Sequence, residues 1–297
     1  MKNLDAYGRI KRTYPGNDVE EDQRNSSSGE QLHLLDGCVP ELNSRLQPSY
    51  VIDQKSASNS GKPMEQNFPE MLLILDTETT GLDPLKDQCL EIGAILFSVS
   101  SRSTLAQQSF LIPVDENSAE GINQIPASIT NLRQPWRKAL SYFQDLVDTA
   151  DLLVAHNVDF DRKWFGREPL PKLFKPWLCT MEDICWPADR HLRRRPSVRD
   201  LALSYGVPVW AAHRALTDCI YLAEVFKRCD DLELLIEHGL EPKKLVKALV
   251  SYEERQLART AGFRWNDPVQ GAWTLRLSAR EIKNLAFPVA PLEPWED

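Results

Sequence analysis

No stretch of this 297-residue sequence is apolar for long enough to cross a membrane, so no membrane partner is expected. The first residues lack the apolar centre of a signal peptide, and their many acidic side chains argue against a transit peptide; a cytoplasmic protein is expected. The six cysteines (Cys38, Cys89, Cys179, Cys185, Cys219 and Cys229) form no CxxC pair, which signals neither a zinc array nor a disulfide framework. They read as reduced core thiols. A formal charge of −8 excludes a protein that coats nucleic acid by bulk electrostatics, so any such contact must come from a local basic patch. No internal repeat is present.

What is present changes along the chain. Residues 1–68 are rich in Ser, Asn, Gln, Pro and charge, the composition of a disordered arm. From Met71 the texture becomes that of a folded domain, 69–230. Three strands in a meander, "MLLILDTE", "QCLEIGAILFSVS" and "STLAQQSFLIP", precede a helix over "RKALSYFQDLVDTA". Two short buried strands, "DLLVAHN" and "WLCTM", alternate with helices over "DRKWF", "VRDLALSYG" and "HRALTDCIYLAEVFKRC". This order predicts an α/β fold: a mixed five-stranded sheet with helices on both faces. Residues 231–297 form a small α+β appendage, with helices expected over "LELLIEHG" and "KKLVKALV" and a hairpin of two aromatic strands in "GFRWNDPVQGAWTLRLS".

The first strand ends in "DTETTGLDP". Side chains alternate along a strand, so Asp76 and Glu78 point the same way and two like charges lie close together. That costs free energy unless one carboxylate is protonated or a hard cation lies between them. A polar strand end with a threonine-rich turn is the other reading these residues leave open. In "AHNVDFD" the strand ends at Asn157 and Asp161 is expected to begin the next helix. In "HRALTD", His213 and Asp218 are five apart, so both face one site only if His213 lies at or just before the helix start. Four carboxylates and a base are what a two-metal phosphodiesterase requires.

These three segments, in this order over residues 70–230, resemble the exonuclease motifs of the DEDDh branch of the DEDD 3′→5′ exonucleases, the family that includes the epsilon subunit of bacterial DNA polymerase III and ribonuclease T. The resemblance implies a ribonuclease H-like fold. It also implies that Asp76, Glu78, Asp161 and Asp218 hold two divalent ions, Mg²⁺ or Mn²⁺, with Asp76 shared between them. His213 matches the general base. Thr79, Leu82, Asn157 and Phe160 match substrate-binding positions, Leu82 against the terminal base, whereas Asp159 reads as a solvated carboxylate. The chain departs from the epsilon pattern in "GINQIPASITNLRQP", and its final segment resembles a tail of stand-alone epsilon-like nucleases. The function expected is cleavage of DNA 3′ ends in replication or repair. An exoribonuclease shares every catalytic residue, and a non-catalytic replisome adaptor or nucleic-acid-binding subunit is the rival from another class; the intact carboxylate set argues against the latter.

Three further patches suggest partners. "DRHLRRRPSVRD" is the one dense basic run, and Arg193, Arg194 and Arg195 either grip phosphates or form a solvated loop. Trp265 and Trp273, with Arg264 and Arg276, either stack bases or form the hairpin's own core. In the arm, Gln31, Leu32, Leu34 and Leu35 resemble the peptide by which bacterial replication proteins dock on the sliding clamp; a clamp or a DNA polymerase subunit is the partner this implies.

Overall fold

The computed structural model describes residues 68–211 and 213–292, so the arm and its Gln31–Leu35 segment lie outside the described residues. A five-stranded sheet in the order β3-β2-β1-β4-β5 is built from β1 (Met71–Thr79), β2 (Cys89–Ser98), β3 (Ser103–Leu111), β4 (Leu152–Ala155) and β5 (Trp177–Cys179). The first three run antiparallel as a meander, while β4 and β5 pair in parallel beyond β1. The central strand β1 is apolar on both faces, as a strand covered on both sides must be. Leu72 and Ile74 enter the core beneath helices α5 (Val198–Ser204), α6 (Ala215–Lys227) and α7 (Leu232–Gly239). Leu73 and Leu75 enter the opposite core, beneath α3 (Trp136–Thr149), whose Phe143, Leu146 and Val147 recur at helical spacing. Each fully buried Leu or Ile there contributes about 1.5–3 kcal/mol. Two one-turn helices, α1 (Glu120–Asn123) and α2 (Ala127–Thr130), lie between β3 and α3, and α4 (Val158–Asp161) follows β4.

The C-terminal part forms a second, four-stranded antiparallel sheet in the order β7-β8-β6-β9, from β6 (Lys243–Ala248), β7 (Arg264–Trp265), β8 (Trp273–Ser278) and β9 (Val289–Pro291). Helices α8 (Arg255–Thr260) and α9 (Ala279–Lys283) complete it. "KKLVKALV" is thus a strand and not the helix its Lys, Ala and Leu residues suggest. Val246 and Ala248 alternate into the small core around Lys247, and β6 is paired on both edges, which outweighs helix propensities of a few tenths of a kcal/mol per residue. Among the described cysteines, Cys185 also departs from expectation: it is exposed, against Arg194 and Glu281, while Cys89, Cys179, Cys219 and Cys229 are buried. No described helix is long and apolar enough to cross a membrane.

Candidate active site

The alternation that buries Leu72 and Ile74 beneath α6 carries Asp76 and Glu78 to the same side at the strand's end. Directly across the ladder from Asp76 stands Gly93 of β2. A Cβ there would come within 2.3 Å of the Ala215 carbonyl carbon and the Leu216 nitrogen, so only glycine lets the first turn of α6 rest on the sheet. That contact brings Asp218, in the same turn, to the strand end. Oxygens of Asp76, Glu78 and Asp218 lie within 4.8 Å of one another. Such a hard oxygen cluster fits a divalent cation.

Asp161 approaches from the other side. Instead of beginning its helix it is the last residue of α4, because β4 stops at Ala155 and Asn157 already occupies the N-cap position. Its buried carboxylate accepts hydrogen bonds from the Thr77 amide at 3.0 Å and hydroxyl at 2.8 Å. Asn157 and Asp159 are exposed, and Phe160 stacks edge-on against Trp164. Lys163 lies over the Phe160 ring and donates to the Leu82 carbonyl at 2.7 Å, tying the two motifs together. Leu82 itself is 77% exposed, a large apolar side chain held out beside the carboxylates. Thr79 is buried, its hydroxyl donating to the Gly81 carbonyl. Asn123, in the segment that departs from the epsilon pattern, donates to the Thr79 carbonyl at 3.1 Å, and Ser118 donates to that of Thr80.

His213 is exposed, two residues before α6, with φ of +59°. Its turn is anchored on both sides by residues the sequence did not single out. On one side, the Tyr221 hydroxyl accepts from the Trp210 and Ala211 amides at 2.9 and 3.0 Å and donates to the Ala211 carbonyl at 2.6 Å. On the other, Glu91, 1% exposed, accepts two bonds from the Arg214 guanidinium at 2.9 and 3.0 Å, one from the Ala215 amide at 3.2 Å and one from Ser109 at 2.8 Å. Glu91 is the charged residue of a ten-residue strand buried throughout, an anomaly that calls for a cation partner.

Burial dominates the electrostatics. It holds the Asp76 carboxyl well above the ordinary carboxylate range, aided by Asp161, Asp218, Glu78 and Glu91. Glu78 is pushed up to about 8 by burial and then by Glu91, Asp218 and Asp161. Asp161 rises to about 7 through burial, against the pull of the Thr77 hydrogen bonds, and Asp218 to about 6 through burial, against the charge of His213. Carboxyl groups gathered at such a cost are neutralised either by protons or by a cation.

The arginine loop lies at the junction of the two sheets. Arg194 pairs with Glu281 of α9 at 2.8 Å. Arg195 Nε lies 2.5 Å from a Glu182 oxygen, as an ion pair without hydrogen-bond alignment. Arg193 remains 68% exposed, 3.3 Å from Asp200. Behind this loop, the buried His156 ring bonds the Thr180 hydroxyl and the Pro196 carbonyl, each at 2.9 Å. Trp265 and Trp273 pack against each other across the hairpin with ring centres 5.6 Å apart.

A family model described as Exonuclease matches residues 73–226, and one described as a domain of unknown function (DUF8626) matches residues 244–292. The DNA polymerase III subunit epsilon of Treponema pallidum is 31% identical over 162 residues, covering 51% of this chain and 72% of that protein. A PolC-type DNA polymerase III of Thermotoga petrophila is 29% identical over 52% of this chain but only 12% of its own length. Among solved structures, E. coli exonuclease I in complex with a dT13 oligonucleotide is similar over 64% of this chain and 50% of that one, at 18% identity and a TM-score of 0.45. The nuclease domain of 3′hExo, a DEDDh family member bound to rAMP, is similar over 55% of this chain and 92% of that one, at 13% identity and a TM-score of 0.41. By the match that spans residues 73–226, more than half of its length, this chain belongs to the exonuclease family.

Proposed function

We propose that this enzyme removes nucleoside monophosphates one at a time from the 3′ ends of single-stranded or frayed DNA, in proofreading or repair. The observation that carries the reading is the convergence of Asp76, Glu78 and Asp218 within 4.8 Å, with the exposed His213 at the start of the helix that supplies Asp218. Relatives named as a DNA polymerase III subunit epsilon and a PolC-type DNA polymerase III support DNA as substrate and a cytoplasmic setting. The family matches on 73–226 and 244–292 support a nuclease domain over 69–230 and an appended module over 231–297.

Asp76, Glu78 and Asp218, with Asp161 alongside, would hold two divalent cations, Mg²⁺ or Mn²⁺. Such ions supply positive charge that stabilises the phosphoryl transition state and acidifies water. His213 takes the proton of the attacking water, and its exposed turn leaves it free to pass that proton to solvent. Leu82 packs against the terminal base, while Thr79, Asn157 and Phe160 line the end of the strand. Arg193, Arg194 and Arg195 serve the phosphates further back.

The test is a comparison of end-labelled single-stranded DNA, single-stranded RNA and a mispaired primer with Mg²⁺ or Mn²⁺. Faster digestion of the DNA strands supports the reading, and preferential digestion of RNA makes the chain an exoribonuclease. Docking on a sliding clamp through Gln31, Leu32, Leu34 and Leu35 is a separate proposal. Calorimetry with a peptide of residues 29–39 tests it; no binding at high micromolar concentration removes it.

A further inference from the structure

Five guanidinium groups line one open cleft of about 690 Å³ in a chain of net charge −8: Arg193, Arg194 and Arg195 from the loop before α5, and Arg259 and Arg264 from the C-terminal module. No carboxylate is among its lining residues. Glu281, Glu182, Asp267 and Asp200 pair with four of these arginines from outside the cleft. A guanidinium carries five N–H groups, so one partner fixes it in place and leaves donors unspent. Arg259 is exposed on α8 and has no carboxylate at ion-pair distance among the described residues.

The junction is built to hold this arrangement. Gly262, with φ of +92°, passes so close to Arg194 that a Cβ would lie 2.5 Å from its Cγ. Interdomain ion pairs explain Arg194 and Arg264. They do not explain why Arg193 and Arg259, which bridge nothing between the sheets, are added to a cleft that is already cationic, where like charges repel. An anionic ligand does. Arg195 and Arg264 also line an adjoining cleft of about 460 Å³ that reaches Asn157, Val158 and Asp159, the turn leading to Asp161. This second cleft carries both signs, with Arg195, Lys243, Arg264 and Arg276 facing Asp159, Glu182, Asp183 and Asp267, and it leads from the arginines to the catalytic end of the sheet.

We propose that this cleft is a phosphate track. Single-stranded DNA whose 3′ end lies at the carboxylates runs past Asn157, over Arg195 and Arg264, which Glu182 holds together, and out between Arg193 and Arg259. The C-terminal module then acts as the strand-holding part of the enzyme. The direction of the strand rests on the exonuclease reading above; the affinity of the cleft for the backbone does not.

The experiment measures fluorescence anisotropy of a single-stranded DNA of about 16 nucleotides with the full chain in EDTA, over a range of salt concentrations. Arg259→Glu should bind about tenfold more weakly at low salt, with the slope of log K against log salt shallower by about 0.7 or more. Arg259→Lys should stay within about twofold of the native chain, because the charge is kept. Lys138→Glu, an exposed reversal on α3 outside the cleft, should bind as the native chain does. If Arg259→Glu misfolds by circular dichroism, Arg193→Glu takes its place with the same expectation. Native affinity and salt slope in a folded reversal variant would overturn the proposal. Intact binding by a native chain that releases no nucleotide with Mg²⁺ would leave the track standing and remove the exonuclease reading instead.

Discussion

Replacing Glu91 by Gln isolates the anchoring of the His213 turn, because the substitution keeps volume and removes charge. The native carboxylate accepts two bonds from Arg214 and one from the Ala215 amide, and it is 1% exposed. Breaking a fully buried ion pair costs about 3–5 kcal/mol. The Arg214 side chain is 46% exposed and can rehydrate, and loss of Glu91 relieves repulsion on Glu78, so we expect about 1–2 kcal/mol of destabilisation. The larger effect is on rate. Arg214 follows His213 directly, and a displacement of about 1 Å at a reacting group can cost about 100-fold. Initial rates of nucleotide release at saturating strand should fall about 10–100-fold in Glu91→Gln. The deciding control is the same substitution in a His213→Ala background, where no further fall is expected because the anchored group is gone. An equal rate loss with and without His213, or a rate within about twofold of native, would refute the anchoring role.

Asp76→Asn should abolish release of nucleotides while raising the metal-free melting temperature near neutral pH, since it removes a buried carboxyl that is costly to ionise beside four others; calorimetry and a digestion assay read the two effects. His213→Ala should slow cleavage by about 10²–10⁴-fold with strand affinity in EDTA retained, checked by single-turnover rates and anisotropy. Glu78, Asp161 and Asp218 have folded-state values near 8, 7 and 6, above the unfolded carboxylate range, so the fold favours their protonated forms. Their contribution is complete at acid pH and is lost as pH rises through those values. The metal-free melting temperature should therefore fall between about pH 5 and 8, and the gain on adding Mg²⁺ should grow over the same range; a gain independent of pH would count against ion binding at these groups.

The sheet was legible because β1 is apolar on both faces and its flanking strands alternate or end at turn residues. The grouping at the strand end follows from parity along β1 and from the five-residue spacing of His213 and Asp218. Less was legible where the determinant is distant. The Glu91 partner lies 123 residues away, and nothing local marks the pair. The acid that fixes Arg194 is Glu281, 87 residues on, and the one that pairs with Arg195, Glu182, lies across a loop with no pattern to mark it, so the run of arginines read as phosphate grip or solvated loop and not as ion pairs. The placement of Asp161 at the beginning of its helix failed because β4 ends with its apolar run at Ala155, and the polar His156 and Asn157, read as strand, instead form the turn and N-cap of α4. "KKLVKALV" failed because a short Lys- and Leu-containing segment carries no periodicity strong enough to separate strand from helix.

Digestion of a single-stranded DNA labelled at its 5′ end, with and without Mg²⁺, tests the central claim most directly. Stepwise shortening from the 3′ end that requires the metal and vanishes in Asp218→Asn is expected. A metal-independent ladder, internal cuts, or full activity in Asp218→Asn would contradict it.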